Sequence, residues 1–344
     1  MTTGGLLDLV AGTEVAVSSA MLVVFIAHSV WVTLTARRSE GRLMELRQSM
    51  VRALGEESRL TIPTSRMARR RYRAALEQVA ARVSGNGAAW IEQAARELGM
   101  SDQAGRWCRS RRWWRRLRGV RSFALFGGGS DLVPARLGDT HPLVREAAAR
   151  WAARHPSPAL AERLIAMLDD TERRCRLSAQ DALIRFGATA AEPLVASLAR
   201  GACPGRVLAL AVATGLADAR FLGPGLRAAG DSDPAVRAQA ASLLAAVAGA
   251  TAERALLGLL RDASEPVRVA ATHGVGVVSS WALAPDLARQ LSDPTWDVRR
   301  EAALALRRLG PAGRLYLRRA LVSTDPYAAD MAHQVLDLPS AAPD

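Results

Sequence analysis

Residues 293–310, Asp293-Pro-Thr-Trp-Asp-Val-Arg-Arg-Glu-Ala-Ala-Leu-Ala-Leu-Arg-Arg-Leu-Gly310, decide the fold of this 344-residue chain. Val298, Ala302, Leu306 and Leu309 fall at i, i+4, i+8 and i+11, one stripe of a helix that Gly310 stops. The opening Asp, with Arg six residues later, recurs as Asp139/Arg145, Asp170/Arg176, Asp231/Arg237, Asp262/Arg268 and Asp293/Arg299. Successive Asp residues stand 31, 61, 31 and 31 apart, so the 61 hides a degenerate unit in which Gly201 and Val207 fill the two positions. A seventh unit is expected to begin at Asp325. A second apolar helix precedes each Asp, such as Ala252 to Arg261 with Leu256, Leu257 and Leu260. Asp-Ser-Asp-Pro at 231–234 combines an N-cap with Pro in the first turn. No stretch alternates with period two. The fold class is therefore all-α, with an α-solenoid of about six to seven 31-residue units over residues 105–338. The repeated pair predicts a ladder in which each Asp meets an Arg of its own or the adjacent unit.

The pattern Asp-x-x-x-x-Val-Arg-x-x-Ala-Ala, with Pro-Ala-Val-Arg-Ala-Gln-Ala-Ala at 234–241 and Pro-Val-Arg-Val-Ala-Ala at 266–271, resembles the short HEAT repeats first grouped with phycobilisome lyases. The resemblance covers about 60 percent of the chain. It implies a superhelix whose concave face carries the Val-Arg helices and docks another macromolecule.

Val15 to Ala36 forms 22 residues without a charge, about 33 Å as a helix and long enough to span a bilayer. Asp8 and Glu14 precede it and no Arg does, so it reads as a retained anchor rather than a signal peptide. Arg37, Arg38, Arg42, Arg47 and Arg52 follow, placing residues 1–14 outside and the remainder in the cytoplasm of a cell inner or plasma membrane. The expected organisation is a tail (1–14), a transmembrane helix (15–36), a basic helical linker (37–104), the solenoid (105–338) and a tail (339–344). Cys108, Cys175 and Cys203 show no metal-binding spacing and suit a reduced compartment.

The net charge of +13 has an uneven distribution. The chain has no Lys, and residues 37–126 hold 21 Arg against eight acids, an excess equal to the whole net charge. Residues 127–344 hold 25 Arg and 23 acids, which argues against a solenoid that wraps nucleic acid. Within the basic window, Leu43, Leu46, Met50 and Leu54 mark one amphipathic helix. Thr64 or Ser65 caps a second, with Tyr72, Leu76, Val79 and Val83 on one stripe, and a third runs from Ala88 to Gly99. Arg69, Arg70 and Arg71, with Arg37, Arg38 and Arg42, are candidates for contact with anionic lipid headgroups.

The densest cluster, from Arg106 to Arg121, contains Arg109, Arg111, Arg112, Trp113, Trp114, Arg115 and Arg116 and no acid. Three readings stand. It is the first half-repeat of the solenoid, with the Trp residues closing its core; or it binds phosphate or lipid headgroups through Arg forks and Trp rings; or it receives an acidic protein surface.

Enzyme chemistry finds no foothold. The HEAT-type deoxyhypusine hydroxylases hold iron through His-Glu pairs, and this chain has none; His28, His141, His155, His273 and His333 are scattered. No P-loop, GxSxG or GxGxxG occurs, and no cofactor or metal is expected. An N-terminal span, an Arg-Arg-Trp-Trp-Arg-Arg stretch and short HEAT repeats together resemble bacterial membrane-anchored HEAT-repeat proteins that accompany family 2 glycosyltransferases. That resemblance implies a non-catalytic accessory subunit beside a membrane polysaccharide synthase. The alternatives are a general lipid-tethered scaffold, a cyclic-dinucleotide sensor using Arg109, Arg112 and Arg116, and a nucleic-acid-binding HEAT protein.

Overall fold

A computed structural model describes residues 43–56, 58, 61–82, 87–200 and 205–338, with Met21, Phe25, His28 and Gly41. Apart from Met21, Phe25 and His28, all helical, the expected span at 15–36 lies outside the described residues, as do Arg37, Arg38 and Arg42. Among the described residues no helix is long and apolar enough to cross a membrane, and none is in a strand. The chain forms two compact units, Met1–Gly129 and Ser130–Asp344.

In the first unit residues 43–55 are helical. They are followed by α1 (Arg66–Ala80), α2 (Ala88–Glu97), α3 (Met100–Cys108) and α4 (Trp113–Phe126). Ser65 caps α1 by accepting from the Ala68 N–H at 3.3 Å. Left-handed Gly99 turns the chain from α2 into α3. The expected apolar stripes meet: Met50, Leu76, Val79, Ile91, Leu98 and Phe126 share one buried cluster, against which Leu43, Leu46 and Trp90 pack. Arg73 locks α1 to the α2–α3 turn by donating Nε and Nη2 to the Leu98 carbonyl at 3.0 and 2.6 Å. The helix matched above to a solenoid half-repeat, α4, belongs to this unit.

The second unit is a two-layer stack. Its Val-Arg helices are α5 (Pro142–Ala152), α7 (Arg173–Phe186), α9 (Arg206–Leu216), α11 (Pro234–Val247), α13 (Glu265–Val278), α15 (Trp296–Arg308) and α17 (Pro326–Leu336). Between them run α6 (Pro158–Ala166), α8 (Ala188–Ala199), α10 (Leu222–Ala228), α12 (Ala250–Leu259), α14 (Ala284–Gln290) and α16 (Pro311–Ala320). Each Val-Arg helix packs on the next of its kind, so the Val and Ala positions are sealed from two sides. Val144, Val236, Val267 and Val298 are buried, as are Ala240, Ala271 and Ala302. The starts follow local chemistry: His141, Ser157, Asp233 and Asp325 each accept a backbone N–H of the first turn, with Pro next in sequence.

Two details of the expected register change. Asp325 is an N-cap, equivalent to Asp233 rather than to Asp231, and Ser323 stands in the ladder position. Its Oγ accepts the Asp325 N–H at 3.2 Å just as Asp231, Asp262 and Asp293 accept the N–H two residues on. In the degenerate unit, the ladder Arg is Arg206, one residue ahead of Val207.

Candidate functional site

The repeated Asp and Arg build the ladder, and each rung crosses between units. Arg145 donates Nε and Nη2 to the Asp170 carboxylate at 2.6 and 2.8 Å, Arg237 to Asp262 at 2.7 and 2.8 Å, and Arg268 to Asp293 at 2.8 and 3.1 Å. The third nitrogen, Nη1, holds the carbonyl of the unit's own Asp: Arg145 that of Asp139, Arg176 that of Asp170, Arg237 that of Asp231, Arg268 that of Asp262 and Arg299 that of Asp293. One planar guanidinium thus ties its own loop to the next, and a Lys ammonium has no fork with which to do so. Arg206 pairs with Asp231, 25 residues on as in the other rungs, and resumes the ladder from the degenerate unit onward.

Each carboxylate also accepts from the backbone two residues on. Burial pushes the Asp170 and Asp293 carboxyls up, but hydrogen bonds from Arg145 and Glu172, and from Arg268 and Thr295, outweigh it and leave both below the ordinary range. Asp262 is lowered by Arg237 against a smaller burial effect, and Asp231 mainly by the Asp233 N–H. The terminal rung is incomplete: Arg299 is 8% exposed, stacks on the Tyr327 ring at 4.9 Å, and its buried Nε finds no acceptor.

Because the ladder consumes charge internally, part of the Val-Arg layer is left without any. On α9 and α11 the charged side chains are Arg206 and Arg237, both engaged in rungs. Leu208, Ala211, Ala238 and Ala246 are half-exposed there, and Val277 of α13 is 51% exposed. On α9 and α11 the remaining polar side chains are neutral: Ser242 is half-exposed, and Gln239 Nε2 donates to Thr214 Oγ1 at 3.2 Å, bridging α11 and α9, whereas α13 adds Glu265 in its first turn and the exposed His273. Charged groups border this stretch: Arg174, Asp181 and Arg185 on α7, and Arg300, Glu301 and Arg308 on α15. Glu301 Oε1 accepts from Arg308 at 2.8 Å and lies 2.9 Å from His273 Nδ1.

The Arg/Trp cluster lies in the first unit, at the α3–α4 turn. Trp113 and Trp114 are 37% and 51% exposed, so they do not close a solenoid core; Leu117, Val120, Phe123 and Phe126 are the buried side of α4. The two indoles meet edge to face at 6.1 Å, Arg112 lies over Trp114 at 5.4 Å, and Arg118 over Trp107 at 4.3 Å. Arg116 turns inward, donating to the Arg111 carbonyl at 2.8 Å and fixing the turn. Arg109, Arg111, Arg112 and Arg115 are exposed, and none makes an ion pair among the described residues. Arg69 and Arg70 are exposed, Arg69 bonded to the Pro63 carbonyl, while Arg71 is half-buried and touches Met67 Sδ at 3.8 Å. Among the described residues no three His, Cys, Asp or Glu side chains gather as a metal site.

A family profile described as HEAT repeats matches residues 220–307 and 252–336, so the second unit contains HEAT repeats. No curated protein sequence matches the chain. Among solved structures, Kap121p bound to Nup53p shares the fold at a TM-score of 0.55 and 14% identity, over 80% of this chain and 36% of that one. The CpcE–CpcF complex of phycocyanin lyase from Nostoc sp. PCC7120 matches at 0.37 and 18%, over 60% and 93% of the two chains. Human deoxyhypusine hydroxylase matches at 0.30 and 20%, over 73% and 97%.

Proposed function

We propose that the protein is a non-catalytic, membrane-anchored scaffold whose second unit docks a partner protein through the surface of α9 and α11, whose charged side chains are the rung residues Arg206 and Arg237, with Val277 of α13 beside it. The observation that carries this reading is the contrast within one layer. Four Arg–Asp rungs use their charges on each other, and the adjoining surface offers Leu208, Ala211, Ala238, Ala246 and Val277 with neutral Ser242, bordered by charge. An uncharged, largely apolar centre with a charged border suits a protein surface, since burial of the centre supplies affinity and the border sets orientation. The likeness to Kap121p, which is bound to Nup53p in its structure, supports protein docking on this fold.

The setting refines the partner. The uncharged 22 residues at 15–36 would hold the chain at a membrane with the solenoid on the cytoplasmic side, and the architecture resembles HEAT-repeat subunits beside family 2 glycosyltransferases. The partner is accordingly a membrane polysaccharide synthase, and tethering raises the effective concentration of the docking surface beside it. Affinity capture of the full chain from detergent extracts tests the reading. Recovery of an integral-membrane glycosyltransferase by the wild type and its loss with Ser242→Arg/Ala246→Arg is expected; recovery of only soluble proteins or nucleic acid overturns it.

A further inference from the structure

From the α3–α4 turn we infer that the first unit binds anionic phospholipid headgroups, with Arg109, Arg111, Arg112 and Arg115 taking the phosphates and Trp113 and Trp114 entering the interfacial layer. The inference rests on the membrane association proposed above and assigns that association a second, composition-sensitive contact.

Three independent features of the turn point to an anion. First, its charges are unspent: the Arg residues of the second unit's ladder meet Asp carboxylates, whereas these four are exposed and without an ion pair among the described residues. Second, the helix they open runs against dipole preference. The first turn of α4 has no acidic residue, Arg112 stands at its N-cap without a side-chain cap bond, and Arg115 and Arg116 follow. Cations are unfavourable at the positive end of a helix, and a bound phosphate reverses the sign of that interaction. Third, two large indoles face water, although burial would favour each by a few kcal/mol on the scale of aromatic side chains. Trp at the rim of an Arg cluster is suited to the headgroup layer, where the ring is wetted on one side and apolar on the other.

An amphiphile is favoured over a bare phosphate by what lies beside the Arg residues. Trp114, Arg118, Arg121 and Leu125 succeed one another at i, i+4, i+7 and i+11, a single stripe of α4, and wall an open cleft of about 350 Å³. Leu117 and Phe126 also line it, and Glu77 of α1 is its one acid. The cleft thus combines apolar Trp114, Leu117, Leu125 and Phe126 with Arg118 and Arg121 against the single Glu77, the mixed chemistry that a glycerol backbone and its phosphate need.

The test uses the full chain with vesicles of phosphatidylcholine alone or mixed with phosphatidylglycerol, the lipids brominated near the glycerol. Flotation reports membrane association, and the difference in Trp quenching between the two vesicles reports insertion at the turn, because Trp31 of the proposed span meets lipid in both. The expected result is flotation with both vesicles, stronger quenching in the anionic ones, and a fall to the neutral level with Arg109→Gln/Arg111→Gln/Arg112→Gln/Arg115→Gln. Trp113→Phe/Trp114→Phe should abolish the composition-dependent part. These side chains are exposed, so an unchanged far-UV spectrum serves as the folding control. Flotation with equal quenching in both vesicles overturns the headgroup site and leaves the anchor standing. Failure to float overturns both. If inorganic pyrophosphate on neutral vesicles changes the Trp emission as much as phosphatidylglycerol does, the turn binds soluble phosphate and the lipid assignment falls.

Discussion

Removing one rung carboxylate should destabilise the second unit far more than removing a surface ion pair, and Asp293→Ala is the sharpest case. Asp293 accepts from Arg268 Nε and Nη2 at 2.8 and 3.1 Å, from the Thr295 N–H at 2.9 Å and from Thr295 Oγ1 at 2.6 Å. Side-chain exposures of 12% for Arg268 and 6% for Asp293 put the pair near the buried limit. Breaking a buried pair by deleting one partner costs about 3–5 kcal/mol, because the survivor keeps its desolvation penalty. Arg268 retains Nη1 on the Asp262 carbonyl and some contact with water, so the lower end applies, about 3 kcal/mol. Urea unfolding followed by circular dichroism measures it, with Asp181→Ala as the control. The Arg185–Asp181 pair, 64% and 58% exposed, should leave the midpoint almost unmoved. Replacing both partners, as Arg268→Met/Asp293→Leu, should recover much of the loss. A cost for Asp293→Ala no greater than that of Asp181→Ala would refute the ladder as a structural element.

Three further outcomes follow from the same geometry. Ser323→Asp supplies the carboxylate that the ladder lacks beside the orphaned Arg299 Nε and should raise unfolding stability by about 1 kcal/mol; a neutral or lower midpoint would show that Tyr327 already closes this end. Asp170, Asp231, Asp262 and Asp293 titrate below the ordinary range when folded, so their contribution is full above the unfolded value of about 3.9 and is lost as pH falls through the lower folded values. The stability gap between wild type and Asp293→Asn should therefore narrow on acidification below about pH 4, and a gap that widened would contradict the assignment. At Gly276 an added Cβ would lie 2.6 Å from Ala305 Cβ and 2.9 Å from Arg308 Nη2, so Gly276→Val should cost about 1–3 kcal/mol by forcing α13 from α15, which a thermal melt will show.

Much of the fold was legible because its signals are local and repeated. Apolar stripes, Pro at the first turn and capping side chains need no knowledge of distant residues, so the helices Arg66–Ala80, Ala88–Glu97, Ala250–Leu259 and Trp296–Arg308 fall close to where the pattern places them, whereas Met100–Cys108 was not expected as a helix. The ladder was legible as a pairing but not in its direction, since sequence spacing leaves open whether an Arg meets its own Asp or the next. In three dimensions both happen at once, with Nη1 on the home loop and the fork on the neighbour. Arg206 escaped notice because a count from Gly201 lands on Val207, whereas the reach is measured from Asp231. Ser323 escaped for a related reason, as a hydroxyl preserves the loop hydrogen bond without the charge that makes the motif visible. Exposure of Trp113 and Trp114 was not legible at all. A Trp beside Arg reads equally well as core lid or surface anchor until the opposite face of α4, Leu117, Val120 and Phe123, is seen to be buried. The low charge of the α9–α11 surface emerged only once the ladder showed that Arg206 and Arg237 were already occupied.

Photo-crosslinking from position 277 of the full-length chain in native membranes tests the docking claim most directly. A benzophenone side chain in place of Val277, exposed on α13, should join the protein to an integral-membrane glycosyltransferase, and the same group at exposed Arg254 on α12, in the other layer, should not. Equal capture from both positions, or capture of soluble proteins or nucleic acid alone, would contradict the assignment of this face.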